Sequence, residues 1–502
     1  MPSILALDQG TTGSTALVVN HDGRVLASAS REFTQHFPAP GLVEHDAEEL
    51  FRVTMLAARE AIAAAQDIPV GIGITNQRET VVLWDRATLA PVGRAIVWQD
   101  RRTAGRCREL RDAGHEELLR ARTGLVADPY FTATKLEWML HDPRVRWRAE
   151  TGELAAGTID AWLIARLTGG RVHVTDHTNA SRTLLYSLER RDWDPDLLEL
   201  FSVPRLLLPD IVPSSGVVAE SDPAHLGAAL PVAGIAGDQQ AALFGQGCVS
   251  AGTAKNTYGT GAFLLMHAGT ERPVAAPGLL TTAACGPRGE PAFALEGSVF
   301  IAGAAIQWLR DGLGLLANAA ESESLARSVP DTAGVSFVPA FVGLGTPHWE
   351  PAARGTITGL TRGTTRAHVV RAALESIAFA SADLLAAMEG AGHQRVAALR
   401  VDGGATANDW LMQFQADVLG LPVERPDVVE TTALGAAALA GLALGVWGSV
   451  DEFVSARHFT RFVPAMGREE REVKLSEWRR AIGAALAWAR PQAATAVPQS
   501  SQ

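Results

Sequence analysis

The sequence predicts an α/β protein of two similar domains facing across a cleft, and three observations carry that expectation. At 502 residues the chain is too long for a single hydrophobic core. A Gly/Thr turn between two strand-like runs stands near the start of each half, at Gly10-Thr11-Thr12-Gly13-Ser14 and again at Gly259-Thr260-Gly261. Near the midpoint, residues 231–246 (PVAGIAGDQQAALFGQ) read as a buried strand, a tight turn and the first turn of a helix. The expected division is 1–247 for the N-terminal domain, 248–490 for the C-terminal domain, and a disordered polar tail at 491–502.

Composition narrows the function. With 47% hydrophobic and 20% charged residues the chain reads as soluble and globular. A formal net charge of -11 argues against nucleic acid as a partner, so any anionic substrate has to be held by local features. Cys107, Cys248 and Cys285 lie far apart without metal-ligand spacing and read as reduced thiols of a cytoplasmic protein. The opening MPSILALD lacks the charged start and apolar run of a signal peptide. The longest apolar stretch, 433–446, is too short to insert across a membrane.

Taken in order, residues 4–20 form a strand, the first Gly/Thr turn and a second strand. Such a turn offers N–H groups and hydroxyls to an anion, and Asp8 at the end of the first strand suits a hydrated divalent cation. A plain β-hairpin is the alternative. Residues 46–65 have helical periodicity behind an Asp46/Glu49 cap. Residues 71–85 read as two strands joined by Asn76-Gln77-Arg78-Glu79, either a solvated turn or a donor fork beside an acceptor for a polyhydroxylated ligand. Trp98 ends an apolar run and fits a core or a ligand wall equally. Tyr130 lies in the DPYF segment, residues 157–182 read as structural, and His225 falls in a loop-heavy connection and is expected to be exposed.

In the central stretch, Asp238 lies at or near a helix N-terminus with Gln239 and Gln240 beside it. It reads as a helix cap or as an ionised carboxylate able to accept a proton from a substrate hydroxyl. Residues 254–266 repeat the strand–turn–strand pattern of the start. A strand then enters a helix carrying Gly303 and Gln307. A long helix spans 365–388 and ends at Gly390. A strand meets the Gly403-Gly404 turn before a helix that begins near Asn408, and 431–446 is a small-residue helix suited to close packing on a sheet. No Gly-Lys pair occurs, so a Walker A loop is excluded, and no GxGxxG opens a helix.

The segments LDQGTTGSTA, GITNQRET, VWQDRRT, DPYFTATK, GIAGDQQAALFGQ, NTYGTGAFLL, AGAAIQWLRD and VDGGATANDWLMQFQAD closely resemble glycerol kinases, of the carbohydrate-kinase branch of the actin-like, ribonuclease-H-like ATPase fold. The resemblance runs in order from about Leu5 to the Arg490 region. It implies ATP-dependent phosphorylation of glycerol to sn-glycerol 3-phosphate, with Asp238 as general base. It further implies glycerol contacts from Arg78, Glu79, Trp98, Tyr130, Gln239 and Phe263, and phosphate contacts from Thr11, Thr12, Gly13 and Thr260. Nucleotide contacts would come from Gly303, Gln307, Gly404 and Asn408, and Asp8 would hold Mg²⁺ through water. Domain closure is expected to hinge near Gly245 and Gly247, and the family implies a homodimer or homotetramer. The pattern departs at Thr15, where relatives often carry an arginine toward the phosphates. The connection PAHLGAALPV lacks the arginine-containing, glycine-rich loop through which some bacterial relatives bind fructose bisphosphate, so that inhibition is not expected. His225 lies near a histidine phosphorylated in other bacterial relatives, but its surroundings differ and the modification is not expected either. The remaining alternatives are a kinase of a pentulose or dihydroxyacetone, and a non-catalytic ATP-binding sensor on the same fold.

Overall fold

The computed structural model describes residues 2–273 and 276–490, so the tail expected at 491–502 lies outside the described residues. Two sheets organise the chain. In the first, the strands lie in the order Ser215–Glu220, Pro231–Gly237, Gly71–Asn76, Ser3–Gln9, Gly13–Asn20 and Val25–Glu32. In the second they run Leu280–Cys285, Pro291–Val299, Ala262–Gly269, Ala254–Tyr258, Leu399–Asp402, Val423–Pro426 and Phe459–Phe462. In each sheet three antiparallel strands lie side by side, consecutive in the chain in the first, whereas in the second Ala262–Gly269 pairs with Pro291–Val299 and the intervening Leu280–Cys285 lies at the outer edge. On the other side of the first of the three, two later strands add in parallel. The shared order makes the two halves similar α/β units, as the paired Gly/Thr turns predicted.

Alternation along each strand directs side chains to opposite faces. Leu5 and Leu7 pack beneath the helix Ala47–Ala65, while Ile4 and Ala6 pack beneath the helix Thr431–Ala443. The first of these helices begins where Asp46 accepts hydrogen bonds from the N–H groups of Glu48 and Glu49. The second comes from late in the chain yet covers the first sheet. Its approach needs glycine on both surfaces: a Cβ on Gly73 would strike the backbone of Ala436, and one on Gly435 the backbone of Ala241.

Other expectations are corrected. The long helix does not stop at Gly390 but runs Arg366–Gly392, with His393 in the left-handed cap conformation. A helical glycine costs only about 1 kcal/mol relative to alanine, which the packed helix absorbs. The two strands of 71–85 belong to different sheets, because Val81–Asp85 pairs within a smaller five-stranded sheet. The polar turn between them therefore crosses the interior. His225 is half-buried, edge-on to Phe51, with Nε2 at 3.1 Å from the Arg166 carbonyl oxygen. Beside the expected hinge, the carbonyls of Gly245 and Gln246 accept hydrogen bonds from Arg457 and Arg400. Among the described residues no helix is long and apolar enough to cross a membrane.

Candidate active site

Three parallel strands deliver the polar residues to one edge. Thr75 is in register with Asp8 on one side and Ala236 on the other, so Asp8, the Asn76–Glu79 turn and Asp238 all emerge at the strands' C-terminal ends. Open α/β sheets bind their ligands at that edge. Asp238 opens the helix Asp238–Gly245 as its first residue, with Gly237 at the N-cap.

The Arg78–Glu79 turn is buried, which rules out a solvated loop. Arg78 forks onto Glu296, with Nη1 at 2.6 Å from Oε2 and Nη2 at 3.2 Å from Oε1. Its Nε faces Asp238 Oδ1 at 3.2 Å, Nη1 also donates to Gln240 at 3.2 Å, and Nη2 makes a long contact to the Tyr130 hydroxyl at 3.4 Å. Arg182 closes the network by donating to Glu79 at 2.6 Å and to Glu296 at 2.9 Å. Glu79 adopts φ 62°, a left-handed conformation that non-glycine residues avoid. Its carbonyl is held there by Thr132 and Lys135.

Burial opposes charge on Glu296, yet Arg182 and Arg78 overcome it and hold this carboxyl down at about 2. Glu79 is raised by burial in spite of both arginines. Asp238 is also raised, burial outweighing Arg78, the Gln239 N–H and Lys255. Its side chain keeps 31% exposure and so remains open to solvent, unlike Arg78 and Glu79. Asp8, half-buried beside Asp238, is pushed up to about 7 by burial and by that second carboxylate.

Trp98 stands edge-on to Tyr130 with ring centroids 5.6 Å apart, and its Nε1 donates to Thr11 Oγ1 at 3.0 Å. These contacts join Thr11 and the aromatic wall to the Arg78 cluster. Gln239 joins it through its N–H, which donates to Asp238 Oδ1 at 2.7 Å, while Gln239 Oε1 lies 2.5 Å from Lys255 Nζ. Phe263 is half-buried opposite Thr257 in the second sheet and makes no ring contact with the cluster among the described residues. Thr12 is exposed at the first turn, and Gly13 sits where a Cβ would come within 2.8 Å of the Arg31 carbonyl oxygen. Thr15 turns its hydroxyl to Ser30 at 2.8 Å.

The second half contributes a cavity of about 550 Å³, lined by Thr260, Gly303, Gln307, Gly404 and Asn408 among others. All five residues proposed from the sequence for the nucleotide on this side meet there. The Gly303 N–H donates to the Gly259 carbonyl at 3.0 Å, which docks a helix N-terminus against the second Gly/Thr turn. Asn408 caps the helix Asp409–Leu419 by accepting from the Leu411 N–H.

Residues 3–245 match the N-terminal domain of the FGGY family of carbohydrate kinases, and residues 254–444 match its C-terminal domain. The chain belongs to the FGGY family of carbohydrate kinases. A glycerol kinase of Alkalilimnicola ehrlichii is 57% identical over 98% of this chain and 99% of its own. A glycerol kinase of Plasmodium falciparum, solved with ADP, superposes with a TM-score of 0.92 at 35% identity, covering 97% of this chain and 98% of the other. A xylulose kinase of Lactobacillus acidophilus has a TM-score of 0.88 at 21% identity, over 97% and 99% of the two chains, and bears on the fold alone.

Within this FGGY kinase the sequence reading missed Arg182, Glu296 and Lys255. Arg182 ends the stretch 157–182, whose sequence reads as structural. The available signal for Glu296 was a lone glutamate inside the apolar strand PAFALEGSV, because charged residues are seldom fully buried unless paired. A second buried network stands behind both loops. Asp176 accepts from the backbone and side chains of Thr178 and Asn179 and from Ser214. Thr178 Oγ1 then accepts from the Gly237 N–H, and Asn179 pairs with Asn76. Asp176→Ala would strand several of these donors and is expected to cost about 3 kcal/mol. Urea denaturation checks this, and a loss under 1 kcal/mol would mean that water takes over the role.

Proposed function

We infer that this FGGY kinase transfers the γ-phosphoryl group of ATP to glycerol, giving sn-glycerol 3-phosphate. The observation that supports it best is Arg78 and Glu79 fixed side by side next to the part-exposed Asp238, with Trp98 and Tyr130 beside them. A forked donor and an acceptor under an aromatic wall suit a small triol, whose C–H face packs on a ring while its hydroxyls pair with charged groups. In the free chain Arg78 is directed at protein acceptors, and a ligand hydroxyl would displace its weakest partner, the 3.4 Å contact to Tyr130.

In this reading Asp238 accepts the proton of the attacking hydroxyl, Gln239 steadies the same oxygen, and Thr11, Thr12, Gly13 and Thr260 grip phosphates from the two sides. Direct in-line transfer asks mainly for positioning, with no covalent intermediate. Asp8 fits Mg²⁺ by chemistry: a half-buried oxygen donor raised to about 7 with a second carboxylate nearby, which a cation would relieve. Among the described residues no cluster of three His, Cys, Asp or Glu side chains surrounds it, so water and phosphate oxygens would complete the shell. When bound, the ion would neutralise phosphate charge. We place the enzyme in the cytoplasm as a homodimer or homotetramer, in keeping with its buried free cysteines.

The test is ADP release from MgATP with glycerol, dihydroxyacetone and xylulose in parallel. Rapid turnover on glycerol supports the reading, turnover on xylulose alone overturns the acceptor, and nucleotide binding without turnover favours a sensor. The nucleotide side has its own check. A Cβ on Gly404 would meet only open space, so Gly404→Val should fold normally while filling the cavity. A rise of about tenfold in the ADP dissociation constant, with unchanged Tm, is expected, equivalent to about 1.4 kcal/mol. Unchanged affinity by calorimetry would remove Gly404 from the nucleotide contacts.

A further inference from the structure

Lys255 is one of only three lysines in the chain and is wholly buried, and the chemistry so far gives it no task. Its Nζ lies 2.5 Å from Gln239 Oε1 and 2.7 Å from Thr257 Oγ1. The strand that carries it, Ala254–Tyr258, belongs to the second sheet and leads directly into the Gly259-Thr260 turn. Gln239 belongs to the other half, on the helix that Asp238 opens. One side chain therefore links the helix bearing the base to the strand feeding the opposite phosphate turn.

An ammonium group is a donor only. It obliges the Gln239 amide to turn its oxygen toward Nζ, and Gln239 Nε2 makes no hydrogen bond to protein among the described residues. The amide is thereby left as a pure donor toward the cleft. We propose that Lys255 is a positioning residue that locks Gln239 as a hydrogen-bond donor to the reacting hydroxyl, a role that rests on the glycerol kinase reading above. A hydroxyl that accepts from Gln239 Nε2 has its own proton free to point at Asp238. As that proton leaves, charge grows on the oxygen that the amide already holds, so the contact strengthens toward the transition state. Burying an ammonium is costly, and Asp402 and Asp238 only partly counter the burial that lowers the Lys255 pKa. That cost is understandable if the amide has to be held in one of its two orientations.

The experiment compares wild type, Lys255→Met, Lys255→Arg, Gln239→Glu, Gln239→Met and the double Met variant in ADP release, with Tm recorded for each. Lys255→Met should lower kcat by about 10- to 100-fold, a fraction of the loss for a direct oxyanion donor, with a smaller change in glycerol KM. Lys255→Arg should recover part of kcat. Gln239→Glu keeps an acceptor for Lys255 but offers the cleft no donor, and should fall at least as far as Lys255→Met. The double variant should be no slower than Gln239→Met alone, since both changes remove one unit of function. Multiplying losses, a Gln239→Glu variant as active as wild type, or a Lys255→Met variant that loses only Tm would each overturn the proposal. If Lys255→Met does not fold, the arginine and glutamate variants still decide it. If wild type prefers another acceptor in the panel, the glycerol assignment falls while the same comparison is run on that acceptor. If no acceptor turns over, both readings fall.

Discussion

Asp238→Asn is expected to slow turnover on glycerol by about 100- to 10,000-fold, the range a general base supplies. The substitution is nearly isosteric. The amide oxygen can still accept from the Gln239 N–H, which lies 2.7 Å from Asp238 Oδ1, and can still face Arg78. The helix and the arginine fork should therefore stay in place, and only the capacity to take a proton is lost. ADP affinity should change little, because the 550 Å³ cavity is lined by second-half residues. Single-turnover ADP formation with calorimetric ADP binding separates the two effects. Activity within tenfold of wild type would return Asp238 to the status of a first-turn helix residue.

Glu296→Gln is expected to produce the largest stability loss. This carboxylate lies between Arg78 and Arg182, and all three side chains are almost wholly buried. Removing its charge leaves two guanidinium groups close together with only Glu79 and the part-exposed Asp238 to balance them. Breaking a buried ion pair in this way typically costs about 3 to 5 kcal/mol. The pH dependence has a definite sign. The folded carboxyl is held at about 2, below its ordinary 4.5, so its contribution is fully present above about pH 4.5 and is lost as pH falls toward 2. The gap in unfolding free energy between wild type and Glu296→Gln should be constant near neutrality and shrink between about pH 4.5 and 2. Urea titrations at pH 7 and pH 3 test this, and a gap under 1 kcal/mol at pH 7 would show that hydrogen bonds to the substituted amide replace the ion pair.

What was legible in the sequence and what was not divides along physical lines. Local signals served well: Asp46 capped its helix, both Gly/Thr turns joined strand pairs, and Asn408 began its helix by capping it. Each depends on residues within a few positions of one another. The interior position of Arg78 and Glu79 was not legible, because an Arg-Glu pair between apolar runs looks the same in a solvated turn. Their burial is decided by Glu296 and Arg182, more than a hundred residues away along the chain. Lys255 was opaque for a similar reason, since its partner Gln239 lies on another sheet's helix. The helix end at 392 was misjudged because Gly390 is tolerated where its surroundings are open.

The helix Thr431–Ala443 has a consequence for how the chain reaches this state. It covers Ile4, Ala6, Leu17 and Val19 of the first sheet and packs against Ala241 and Phe244 of the helix that Asp238 opens. During synthesis the first sheet leaves the ribosome long before that helix exists. Its apolar face must stay uncovered, or be shielded by a chaperone, until residues 431–443 have been made. A fragment ending at residue 247 would keep every strand of that sheet and still lack its lid, and should aggregate unless residues 431–443 are supplied in trans. The base and the polyol groups would thus assemble only on a chain that includes residues 431–443, and a product terminated before them could not act as a stray kinase.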